Sequence, residues 1–160
     1  MSKPSFVYVT YVRTTPEKVW AALTDPRTVS KYWFNMTVEC DFKPGSPWAL
    51  KFADGRTADV GEILEAEPPR RLVIRWRNEF KPELKADGYS RCSMDIEMAE
   101  YYPDFGGKAV KLTIRHELEG EGTKFIEAVS GGWPKVISNL KSLLETGAIA
   151  LDEAYPKSAG

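Results

Sequence analysis

The chain has 160 residues, 42% hydrophobic and 28% charged, with 22 basic against 23 acidic residues and a formal net charge of −1. That length suits a single domain, 1–160, with an ordered core over about 5–150. No apolar run approaches the ~18 residues of a membrane span, which excludes insertion into a membrane, and the balanced, scattered charge excludes nucleic acid as a partner.

The opening run MSKPSFVYVTYV carries Tyr and Thr and has no small-residue cleavage pattern. It reads as a strand and not a signal peptide, so a cytoplasmic protein is expected. The strand over 6–12 is apolar on both faces, and its orientation stays open. In TTPEKVWAALTDPRTVSKYWF, Thr15 caps a helix with Pro16 at its first position and Glu17 in its first turn, and Val19, Trp20 and Leu23 form its inward stripe. Asp25-Pro26 ends that helix and starts another, which gives one or two short helices.

Period-2 alternation then recurs. Met36, Val38, Cys40 and Phe42 alternate with polar residues, and Trp48, Leu50 and Phe52 follow the turn KPGSP. TADVGEILEAE is a less regular strand. After the Pro68-Pro69 corner, Leu72, Ile74 and Trp76 alternate with arginines, and Val73 alone breaks the pattern. The two cleanest strands place Cys92, Met94, Ile96 and Met98, then Val110, Leu112, Ile114, His116 and Leu118, on dry faces. Such strands with one wet face make an antiparallel sheet.

The C-terminal stretch AVSGGWPKVISNLKSLLETG has helical spacing at Val129, Trp133, Val136, Ile137, Leu140, Leu143 and Leu144, yet holds Gly131, Gly132 and Pro134. An internal glycine costs about 1 kcal/mol and an internal proline about 3 kcal/mol, so the helix is expected to bend or break over 130–135, as one kinked helix or two in tandem. The glycines would also allow a close approach to the sheet. This helix is the large apolar surface available to cover the dry face of the sheet. The fold class is therefore α+β: a curved antiparallel sheet of about six to seven strands wrapped around a long C-terminal helix. The tail YPKSAG reads as disordered.

The runs TTPEKVWAALTDPRTVSKYW, DFKPGSPWALKFADGRTADVGEILEAEPPRRLVIRW and SGGWPKVISNLKSLLETG resemble the family similar to the activator of the heat-shock-protein-ninety ATPase, within the START and birch-pollen-allergen superfamily of helix-grip folds. The resemblance covers nearly the whole chain. It implies a helix-grip (START-like) domain with a hydrophobic cavity between sheet and helix that takes lipids, sterols, flavonoids, aromatic polyketides or similar molecules. Some members of the superfamily are cyclases, dehydratases or hydrolases, and the family's namesake is a co-chaperone.

Few residues suggest chemistry. His116 is the single histidine, so any Ser-His-Asp or Cys-His mechanism runs through it; it either faces the cavity as an acid or base near neutrality or sits hydrogen-bonded or half exposed near its strand end. Asp95 and Glu97, like Glu39 and Asp41, fall on wet faces. GEGT at 120–123 and Gly106-Gly107 read as turns and not phosphate loops. Cys40 and Cys92 are far apart and read as free thiols, and with one histidine they leave too few ligands for a metal. No metal, cofactor or catalytic residue is assigned.

The expected function is binding of a small hydrophobic or aromatic ligand between helix and sheet. Trp133, Ile137 and Leu140 would touch it from the helix, Trp76, Met94, Met98, Leu112 and His116 from the sheet, with Trp33 and Trp48 completing an aromatic lining. The other readings are a cyclase or hydrolase using His116, and a co-chaperone-like module acting on a protein partner or a second copy of the chain.

Overall fold

Alternation along the strands is realised as a seven-stranded antiparallel sheet in the computed structural model, which describes residues 4–102 and 107–152, with only the backbone of 100–102 and 107. The strands are β1 (Ser5–Val12), β2 (Thr37–Cys40), β3 (Pro47–Lys51), β4 (Thr57–Glu67), β5 (Arg71–Asn78), β6 (Ser90–Tyr102) and β7 (Gly107–Leu118). Their spatial order is β1-β7-β6-β5-β4-β3-β2, so the first strand closes one edge by pairing with the last, Tyr8 opposite Ile114. This pairing orients β1: Val12 is buried and Phe6 and Tyr8 pack against the core, while Val7 and Val9 face out. The expected turn at Gly106 and the tail YPKSAG lie outside the described residues.

Two short helices follow β1, α1 (Pro16–Thr24) and α2 (Pro26–Tyr32). Thr15 Oγ1 accepts from the Lys18 N–H at 3.3 Å, and Asp25 both ends α1 and caps α2 by accepting from the Arg27 N–H at 3.2 Å. A one-turn helix, α3 (Pro82–Lys85), was not expected between β5 and β6; Pro82 at its first position is the local signal for it.

The long helix α4 (Lys124–Thr146) is a single element. The tandem reading fails, because burial of Trp133, Val136, Ile137 and Leu140 holds together a sequence whose intrinsic propensity is poor. The close-approach role of the glycines also fails: a Cβ at Gly131 or Gly132 would meet nothing within 4 Å. The helix start is anchored from a distance, since Asp87 Oδ2 accepts from the Phe125 N–H at 2.8 Å. Near its C-terminal half, fully buried Asn139 donates to the carbonyls of Tyr32 and Leu151 and accepts from the Ala150 and Leu151 N–H groups, tying α2 and the following segment to α4. The helix backbone lies nearest β1, with α2, α3, α1 and β7 also against it.

Two readings of alternation need correction. Met98 is 49% exposed although it shares a face with Val110 and Val12. Parity assigns a face of the sheet but not how far along a strand the helical cover reaches, and β6 runs beyond it. Val73, on the outer face, is fully buried among the Glu65, Arg71, Arg91 and Asp95 ion pairs, so that face is not uniformly wet. Cys40 and Cys92 are free thiols.

Gly61 is where close approach matters: an added Cβ would fall on the Arg75 carbonyl oxygen of the neighbouring strand. Urea unfolding should separate the two kinds of glycine. Gly61→Ala is expected to lose more than about 3 kcal/mol, the upper end of ordinary overpacking, while Gly131→Ala, in an open helical position, should gain about 0.5–1 kcal/mol.

Candidate functional site

Four tryptophans from four parts of the chain meet where α4 crosses the sheet. Trp76 of β5 is the hub: its ring centroid lies 4.4 Å from Trp48 of β3, 6.0 Å from Trp33 after α2 and 5.8 Å from Trp133 of α4. Trp33 and Trp133 are themselves 5.2 Å apart. Separations and tilts of this kind suit the ring quadrupoles, and each such pair contributes about 0.5–1.5 kcal/mol beyond burial.

One side of this cluster opens into a cleft of about 310 Å³, at the lower end of the range for small-molecule sites. Trp33, Phe34 and Met36 wall it from the α2–β2 turn, where Phe34 is held at φ 50, a left-handed conformation disfavoured by roughly 1–2 kcal/mol for a residue with a Cβ. Leu50, Phe52, Asp59, Trp76 and Asn78 form the sheet side. Phe80, Lys81 and Leu84 come from the segment leading through α3, with Phe80 edge-on to Phe52 at 5.0 Å. Helix α4 contributes Phe125, Val129 and Trp133 to the wall, and Gly132 leaves space open beside Trp133.

Of the residues singled out from the sequence, Trp33, Trp76 and Trp133 line this cleft. Trp48 backs Trp76 from within the core, and Met94, Leu112, Ile137 and Leu140 are buried core residues that do not line it. Met98 is on the surface. His116 is fully buried behind the wall, its ring 5.2 Å from Trp76 and 5.8 Å from both Trp133 and Phe125.

Burial decides the chemistry of His116. It pushes the imidazole down to about 3, so the ring is neutral and is not an acid or base near pH 7. Nδ1 lies 3.1 Å from Ser90 Oγ, and that hydroxyl donates to the Trp76 carbonyl at 3.4 Å. The ring then donates from Nδ1, which leaves Nε2 as a buried acceptor without a partner. The Trp133 indole N–H is likewise buried and unpartnered.

The carboxyl group of the cleft is Asp59, which strand alternation alone does not single out. It is 7% exposed and pushed up to about 7, mainly by burial, against the opposing effect of a 2.6 Å hydrogen bond from Trp76 Nε1. The nearby Glu79 charge also raises it, and the neighbouring Asn78 side-chain amide lowers it. A signal was present: counting back by twos from inward Ile63 passes Gly61 and reaches Asp59, a carboxylate on a dry face. Phe52 and Phe80 lie outside the strands, where periodicity carries no information about facing.

An antiparallel sheet gripping a long helix, with an aromatic cleft between them, defines a helix-grip protein. The model of the activator of Hsp90 ATPase homolog 1-like protein family matches residues 13–145, and the chain belongs to that family. No curated protein matches it. Among solved structures, it is similar to an HSP90 activator from Plasmodium falciparum, at 22% identity over 88% of this chain and 95% of that one, with a TM-score of 0.68. The Aha1 dimer from Colwellia psychrerythraea is similar at 19% identity over 90% and 98%, with a TM-score of 0.69. DynU16, from the dynemicin biosynthetic locus, shares 23% identity over 92% of this chain and 50% of that one, with a TM-score of 0.66. At these identities the likeness is one of fold.

Asp59 and His116 make opposed contributions to stability. Folding raises the Asp59 pKa, so its contribution falls as pH climbs from 3.8 to about 7; folding lowers that of His116, so its contribution is lost as pH drops from 6.5 to about 3. Each is worth on the order of 4 kcal/mol, and over the shared window they offset one another. Urea unfolding between about pH 4 and 6.5 should show Asp59→Asn becoming more stable as pH rises and His116→Gln less stable. Equal slopes in the two variants would show that neither group is buried as described.

Proposed function

We propose that this protein binds a small apolar, ring-containing molecule in the cleft between α4 and the β3–β5 side of the sheet. The observation that carries the reading is the cleft itself, about 310 Å³ walled by Trp33, Trp76, Trp133, Phe34, Phe52 and Phe80. An aromatic wall with a few polar groups is the usual character of a ligand site. Lipids, sterols, flavonoids and polyketides are the classes to which such a wall is suited. A role for His116 in turnover is not supported, since the ring is neutral and lies behind the wall. A cytoplasmic location belongs to the same reading and is supported by the two unpaired cysteines.

The test is titration with N-phenyl-1-naphthylamine, following probe emission and quenching of tryptophan fluorescence. Saturable binding at one site is expected for the parent. Gly132→Leu, which fills open space with a good helix former, should weaken binding at least about tenfold without lowering the urea midpoint. Equal affinity in parent and variant would place the probe elsewhere and overturn the reading.

Docking of another protein or of a second copy is the second reading, favoured by the outward row of Val7 and Val9, 46% and 44% exposed, on edge strand β1. Sedimentation of the parent against Val9→Lys tests it: a shift from dimer to monomer is expected, and a monomeric parent that captures no partner would remove it.

A further inference from the structure

We propose that the cleft selects an uncharged ring compound bearing a hydroxyl group, and that Asp59 is the residue that reads the hydroxyl; the inference rests on the ligand-binding reading above. Among the described residues, Asp59 is the one carboxyl group lining the cleft, and it sits between apolar walls. Its Oδ2 accepts from Trp76 Nε1 at 2.6 Å, and the Asn78 side-chain amide nearby favours its ionised form. Asn78 is itself fixed, its Oδ1 accepting from the Lys81 N–H at 3.0 Å. The carboxyl group is thus held from the strand side by the Trp76 indole, and as a residue lining the cleft it keeps lone-pair capacity for a ligand. A group held in this way is specific: it rewards a partner that hydrogen-bonds and rejects a bare hydrocarbon.

Charge decides which polar group fits. Lys81 and Lys135 line the same cleft, and the Lys81 ammonium lies 5.8 Å from the Phe80 ring centroid; they disfavour a cationic ligand. Asp59, with the Glu79 charge near it, disfavours an anionic one at the inner wall. The facing residues of β3 and of the α2–β2 turn, Leu50, Phe34 and Met36, carry no charge. An uncharged group that both donates and accepts remains. A hydroxyl donates to the ionised carboxylate and accepts from the protonated acid, so it satisfies Asp59 in either state, and the raised carboxyl pKa of about 7 makes both states accessible near neutrality.

The experiment compares naphthalene, 2-naphthol, 2-methoxynaphthalene, 2-naphthoate and 2-(aminomethyl)naphthalene by displacement of N-phenyl-1-naphthylamine at about pH 8, where Asp59 is mostly ionised. The parent should bind 2-naphthol about tenfold more tightly than naphthalene or the methyl ether, and more tightly than either charged probe. Asp59→Leu should bind naphthalene as the parent does and lose the preference for the hydroxyl. Asp59→Asn keeps the shape and an acceptor for Trp76 but also donates, so it should no longer distinguish 2-naphthol from its methyl ether, which decides the matter if the leucine variant does not fold. Preference for a charged probe, equal binding of naphthalene and naphthol, or discrimination unchanged in Asp59→Asn would overturn the proposal. Binding of naphthalene without hydroxyl preference sinks this inference alone, whereas no binding of any probe sinks the ligand-binding reading with it.

Discussion

Trp76 sits at the junction of sheet, helix and cleft, and the structure depends on how its two ends are satisfied. Its rings are packed by Trp48 from the sheet and by Trp33 and Trp133 from the helical side, which joins elements that are distant in sequence. Its indole N–H, which would be costly to bury unpaired, is taken by Asp59. The one side chain therefore couples apolar packing to a buried acid. A carboxyl group in such surroundings would ordinarily be selected against, and here it is held in place by the hydrogen bond that Trp76 needs.

Behind this wall lies a second polar group in the same low-polarity setting. His116 is kept neutral by burial and tied to Ser90, and its remaining ring nitrogen has no partner. Asp59 and His116 both resist charging, but for opposite protonation states, so both stay neutral between about pH 3 and about pH 7, and Asp59 ionises above that.

The weak middle of α4 finds its explanation at the same place. Gly131 and Gly132 do not serve contact with the sheet, because the space where their side chains would stand is open. Gly132 instead borders the cleft beside Trp133. The helix tolerates its poor local propensity since Trp133, Val136, Ile137 and Leu140 bury the face that matters, and packing outweighs the loss.

Much of the architecture was legible in the chain because it is periodic. Alternation marked the strands, Thr15-Pro16 and Asp25-Pro26 marked the starts of α1 and α2, and one long amphipathic stretch required a sheet to cover. Trp33, Trp76 and Trp133 stood out as large aromatics, and three parts of the tertiary structure bring them to one cleft. Periodicity states which way a side chain points, not what lies opposite it. It could not show that cover ends before Met98, that His116 lies behind the wall, or that Phe52 and Phe80 swing in from turns. Nor could it show that Asp87 would anchor α4 from a distant loop. Asp59 is the sharpest case: its inward parity was in the sequence, but its character as a near-neutral acid arises from burial and from Trp76, which only the folded chain places beside it.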